Sequence, residues 1–174
     1  MGLDTAMRIS IAHGMLAEAE IEALAVIVST LPENPVAVVL GSGPGTASIT
    51  MLSTRPDIKV ISIDVDDAQT ERQHAKNLNC LSRLEQIRDN SHYMVWDNPQ
   101  QIDLLFVDAC HAYSCVKADN MYWLPFLKEG GVVWFHDYGT EDGMWAQVKQ
   151  AVDEDIVGKE QLVRVNCSIA FRWE

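Results

Sequence analysis

The chain has little of what assigns a protein at a glance. Its four cysteines, Cys80, Cys110, Cys115 and Cys167, contain no C-x-x-C pair, so neither a zinc knuckle nor a thioredoxin-type motif is supported and reduced thiols are expected; Cys110 and Cys115 flank His111, but read as small residues of no chemical role rather than as a Cys/His catalytic pair. No apolar run approaches the roughly 20 residues that span a bilayer, and "MGLDTAMRISIAHGM" lacks the basic leader and long apolar region of a signal peptide. A cytoplasmic protein with no membrane partner is the expectation. Positive charge is scarce: 13 Lys and Arg stand against 25 Asp and Glu, a formal charge of −12, with no basic stripe to meet a phosphate backbone. Nucleic acid is therefore not expected as a partner. Linkers, repeats and low-complexity tracts are missing too, and 174 residues suit one domain, 1–174, folded from about residue 15 onward.

What is present alternates. "EAEIEALAVIVSTL", residues 18–31, carries apolar residues at helical spacing and is stopped by Pro32. The runs "VAVVL" (36–40), "KVISID" (59–64), "LEQI" (84–87), "IDLLFVD" (102–108) and "GVVWFHD" (131–137) read as strands of a mostly parallel sheet. Helices are expected at "AQTERQHAKNLN", at "KADNMYWLPFLKEGG", ended by Gly130 and Gly131, and at "GMWAQVKQAVDEDI". The closing "QLVRVNCSIAFRWE" reads as two strands around Asn166 and Cys167, too close together for a parallel return. The predicted fold class is α/β: a single doubly wound, Rossmann-like sheet, mostly parallel, with a C-terminal antiparallel hairpin.

Three glycines, Gly41, Gly43 and Gly45, follow the first strand in "VVLGSGPGTASI", and Thr46 opens the next helix. The spacing misses the third glycine of the dinucleotide fingerprint and the Lys of a P-loop. Alone it fits either a structural turn or a loop that lets a ligand approach the backbone. Asp64, about 20 residues on at the end of the second strand, suits the hydroxyls of a ribose, although Asp66 and Asp67 stand close enough to compete. "RDNSHYMV" after the third strand offers Asp89, Asn90 and Ser91 to a base, and Ser91 equally reads as a helix N-cap.

The most informative stretch is "DLLFVDACHAY" taken with "WFHDYG". Neighbouring strands would deliver Asp108 and His111 on one arm and His136 and Asp137 on the other to a common crevice. Tyr113 and Tyr138 stand beside them as pocket or packing residues, and Trp123, Trp134 and Trp145 read as core or pocket.

With the glycine loop and Asp64, this C-terminal half resembles the class I S-adenosylmethionine-dependent methyltransferases of seven-stranded type. It is most similar to the family that includes macrolide-sugar O-methyltransferases and cephalosporin hydroxylase-like proteins. The resemblance, over about residues 15–174, implies O-methylation of a small hydroxylated molecule. It implies cofactor binding by Gly41, Ser42, Gly43, Gly45, Thr46, Asp64, Asp89, Asn90, Ser91 and Asp108. It further implies a divalent ion on Asp108, His136 and Asp137, with His111 and Asp108 catalytic and His111 the base. His136 stands where that family carries Glu, so either the site keeps Mg²⁺ on two carboxylates with more waters, or it suits Mn²⁺, Fe²⁺ or Zn²⁺ better. Residues 1–31 are expected to help cover the active site, with a homodimer supplying any missing lid. The competing readings are a nicotinamide-dependent oxidoreductase and a non-catalytic nucleotide-binding protein of the same fold.

Overall fold

A computed structural model describes residues 2–13, 16–96, 101–139 and 144–174. Two helices lead, α1 (Gly2–His13) and α2 (Glu18–Thr30), followed by β1 (Val36–Leu40), α3 (Thr46–Thr54), β2 (Lys59–Asp64), α4 (Gln69–Asn77) and β3 (Leu84–Arg88). Then come β4 (Ile102–Val107), α5 (Tyr113–Trp123), β5 (Leu127–Phe135), α6 (Met144–Asp155), β6 (Gln161–Val165) and β7 (Ser168–Arg172). The seven strands lie in the order β3-β2-β1-β4-β5-β7-β6. All pairs are parallel except β5 with β7 and β7 with β6. The doubly wound sheet and its terminal hairpin are as the sequence predicts.

Burial on both faces explains why β1 and residues 104–107 of β4 are apolar. Ala37, Val39, Leu104 and Phe106 point to one face, where α1, α2 and α3 contribute Ala6, Ile9, Ile21, Leu24, Val28 and Ile49. Val38, Leu40, Leu105 and Val107 point to the other, against Val116, Trp123, Val148 and Val152 of α5 and α6. Trp123 and Trp134 are fully buried, one in each core; the Trp145 side chain lies outside the described residues. Among the described residues, no helix is long and apolar enough to cross a membrane.

Three expectations change. Structure begins earlier than residue 15: α1 packs Ala6 and Ile9 into the first core. The helix after β4 ends not at Gly130 and Gly131 but at a 3₁₀ turn through Pro125, because proline cannot continue the helical ladder. Both glycines lie within β5, where Gly130, at φ 78°, sits beside the register shift of β4 between Ile102 and Leu104. Finally, Cys110 and Cys115 form a disulfide rather than staying reduced, since the turn into α5 brings their Cα atoms to 5.7 Å.

Strand order reverses between β1 and β4, and at such a switch point the loops leaving the carboxyl ends diverge to open a crevice. Leu40 pairs with Val107 and Val107 with Phe135, so the residues after β1, β4 and β5 emerge side by side.

Candidate active site

At the switch point lies a cleft of about 530 Å³. Gly41, Gly43 and Asp64 form one end of its lining, with Asp89, Asn90 and Ser91 along the side. Asp108, His111, His136 and Asp137 complete it. A larger depression of about 800 Å³ lies elsewhere, between α5 and the C-terminus, walled by Met121, Leu124, Pro125 and Trp173. Its lining ionic groups, Lys117 and Asp155, are already paired with each other, so the smaller cleft is the one with convergent chemistry.

Asp64 organises the glycine loop. Its Oδ2 accepts the backbone N–H of Ser42 at 2.9 Å and of Gly43 at 3.0 Å, and the Ser42 hydroxyl at 3.2 Å; among the described residues Oδ1 accepts the Asp66 N–H alone, at 3.0 Å. Oδ1 therefore keeps acceptor capacity for a ligand hydroxyl. The glycines have a reason the sequence does not suggest. A Cβ on Gly41 would stand 2.2 Å from the Asp108 carbonyl oxygen, and one on Gly45 would stand 2.7 Å from the Glu71 side chain. Both positions are closed by the chain itself, and φ is +82° and +94° there. Of the loop residues predicted to bind cofactor, Gly41 and Gly43 line the cleft; Ser42, Gly45 and Thr46 do not, Thr46 being buried at the start of α3.

Beyond β3, Asn90 rather than Ser91 makes the local turn: its Oδ1 accepts the His92 N–H at 2.9 Å, and its carbonyl accepts from Tyr93 and Met94. No helix starts at Ser91 among the described residues, so its N-cap reading fails. Ser91 and His92 rest on Asp119 of α5, which lies 3.4 Å from His92 Nε2, and burial pushes the Asp119 carboxyl up.

The two arms meet as the sequence predicts. His111 Nε2 lies 3.3 Å from Asp108 Oδ1 and 3.1 Å from Asp137 Oδ2. His136 Nδ1 lies 3.2 Å and 3.3 Å from the same two oxygens. Two carboxylates and two imidazoles thus share one corner of the cleft. Asp137 reaches it through a left-handed backbone, φ 57°, uncommon outside glycine and concentrated at functional turns. Burial opposes charge on His136, but hydrogen bonds with Asp108, Asp137, Cys167 and Glu20 outweigh it and hold the imidazole protonated well above the usual histidine range.

Glu20 is a participant that the sequence did not reveal. It is 1% exposed on α2, its Oε2 accepts the Ala17 N–H at 2.8 Å, and it faces the far edge of the His136 ring at 3.7 Å. Burial alone would raise its pKa, yet the His136, Ala17 and Ser168 hydrogen bonds bring it down to about 2. Tyr113 and Tyr138 turn out to be packing residues. The Tyr113 hydroxyl donates to Glu154 at 2.5 Å and the Tyr138 hydroxyl to Asp153 at 2.7 Å, both outside the cleft.

The profile of the family described as "Methyltransferase domain" matches residues 38–138. A Staphylococcus aureus protein described as a caffeoyl-CoA O-methyltransferase superposes with a TM-score of 0.79 at 16% identity, over 99% of this chain and 91% of that one. The O-methyltransferase TomG of Streptomyces achromogenes, solved in complex with SAM, gives 0.73 at 14% identity, over 99% and 90%. Ribosomal RNA small subunit methyltransferase B of Photorhabdus laumondii is 26% identical over 136 residues, 75% of this chain but 29% of that protein. The chain thus spans under a third of that curated relative.

Proposed function

The chain belongs to the Methyltransferase domain family, and from that premise we propose that it moves the methyl group of S-adenosylmethionine to a hydroxyl of a small molecule, assisted by a divalent ion and His111. One observation carries this reading: Asp64 with its glycine loop and the Asp108–His111–Asp137 corner line a single cleft, so a nucleoside ligand and an acceptor would meet there. Displacement at a sulfonium methyl needs an oxygen held in line with it, and positioning supplies much of the rate.

In this arrangement Asp64 Oδ1 would accept the ribose hydroxyls, and the Asp89–Ser91 segment would hold the base. The corner fits a divalent ion by its donor set: Asp108, His111 and Asp137 offer ligand atoms within 4.8 Å of one another. Asp108 and Asp137 would hold it, and its nitrogen neighbours favour Mn²⁺, Fe²⁺ or Zn²⁺ over Mg²⁺. Such an ion, when bound, lowers the pKa of an acceptor hydroxyl and orients it. His111, partly exposed at the cleft, takes the proton released by that hydroxyl. His136, which the sequence places among the ligands, sits behind the carboxylates and orients them through Nδ1. The charge of −12 favours a small acceptor over a polyanion.

Calorimetric titration with S-adenosylmethionine, with EDTA and then with Mn²⁺, tests the reading. A dissociation constant on the order of micromolar is expected. Absence of binding in both conditions, with NAD binding in its place, would hand the site to the oxidoreductase alternative.

A further inference from the structure

His136 has a second set of neighbours behind the cleft. Its Nε2 lies 3.4 Å from the Cys167 sulfur and 3.7 Å from Glu20 Oε2, and the same sulfur lies 3.4 Å from Glu20 Oε1. Carboxylate, imidazole and thiol converge from α2, the end of β5 and the β6–β7 turn, with their ligand atoms within 4.8 Å of one another. From this triangle we infer that Glu20, His136 and Cys167 form a second, inner metal site, which takes Zn²⁺ or a similarly thiophilic divalent ion.

The edges fit. Zinc bonds of about 2.0–2.3 Å in tetrahedral geometry separate neighbouring ligand atoms by roughly 3.3–3.7 Å. The charges fit as well. A divalent ion held by one carboxylate, one thiolate and a neutral imidazole is a set of zero net charge. Little uncompensated charge is buried. A thiolate with imidazole and one carboxylate selects Zn²⁺ and disfavours Mg²⁺ and Ca²⁺.

Each donor is held in place beforehand. Glu20 sits at the first turn of α2 with the Ala17 N–H on Oε2 at 2.8 Å. The turn carrying Cys167 is tied to β5 by the Tyr138 N–H donating to the Cys167 carbonyl at 2.6 Å, and the Arg164 guanidinium donates to the Asn166 carbonyl at 3.0 Å. His136 keeps its Nδ1–H for Asp108 and Asp137, the carboxylate partner that a ligating histidine commonly has. Three protein ligands leave a fourth position for a water or the other Glu20 oxygen. The inner ion would brace the cleft from behind, through one imidazole ring.

Cobalt titration of the chelator-stripped full chain reads the site directly, because a thiolate ligand gives Co²⁺ a near-ultraviolet charge-transfer band that oxygen and imidazole ligands do not. We expect the band in the unmodified protein and in the Cys110→Ser/Cys115→Ser double variant, and its loss in Cys167→Ser. Competition with a chromophoric chelator should show Zn²⁺ bound at least ~10-fold more weakly in Glu20→Gln. Circular dichroism checks that Cys167→Ser is folded; should it not be, protection of Cys167 from alkylation by Zn²⁺ in the unmodified chain gives the same answer. No thiolate band, or a band that survives Cys167→Ser, would overturn the inference.

Discussion

Strand β4 carries an aspartate at each end, and the two have opposite surroundings. Asp103, near the start of the strand, is 2% exposed and fully engaged: Oδ2 accepts the Val36 N–H at 2.8 Å, and both oxygens lie 2.8 Å from the Lys128 ammonium. Its neighbours are settled, and nothing converges on it from a cleft. Asp108, just past the other end, shares one oxygen with two imidazoles and stands beside a second carboxylate. Surplus donors and acceptors crowd one place there. Closed pairing at the base of a sheet and crowded, like-charged groups at its carboxyl edge are what separate a structural acid from a reactive one.

Substitutions at the two ends should therefore fail in different measurements. Asp64→Ala, at the carboxyl edge, should abolish S-adenosylmethionine binding in calorimetry, since it removes the proposed ribose acceptor and releases the Ser42 and Gly43 N–H groups together. Next, His111→Ala should lower turnover by ~10²–10⁴-fold while leaving cofactor affinity within about twofold. An unchanged rate would break the comparison, because the crowded end would then be as inert as the closed one. At the base, Asp103→Ala should cost about 1–3 kcal/mol in urea unfolding, mostly by leaving the Val36 N–H without its buried acceptor, with Lys128 adding little because it is partly exposed. Turnover per folded molecule should not change. The smallest effect is a surface one: the Arg55 guanidinium and the Asn34 N–H hold the Asp57 carboxyl well below the usual carboxylate range. A depressed folded-state value stabilises above the unfolded pKa of about 3.9 and is lost as pH falls through the lower one. Asp57→Asn should thus lose a small stabilisation at neutral pH and flatten the acid limb of a stability profile, the variant and the unmodified protein converging as pH falls.

The sheet was legible because β1, β2 and β4 are short β-branched or apolar runs that end abruptly at Gly41, Asp64 and Asp108. β5 was read short because "LKEG" has no strand alternation; its first residue is placed by pairing with Ile102, a tertiary contact with no local trace. In the site, Asp108, His111, His136 and Asp137 could be read because each directly follows a strand, or nearly so, and strand neighbours share a crevice. Glu20 and Cys167 could not. They are 147 residues apart, and only the packing of α2 beside the closing hairpin brings them together. The disulfide was missed for a different reason: a five-residue spacing says nothing until the turn before α5 is fixed.

The 2.2 Å between a Cβ on Gly41 and the Asp108 carbonyl has a bearing on how such a protein changes over generations. A side chain at position 41 would have to push the acceptor arm aside, so one mutation there would alter both halves of the cleft. Substitutions that reshape the cleft without this double effect are therefore expected in its outer loops, with the seam between β1 and β4 left intact.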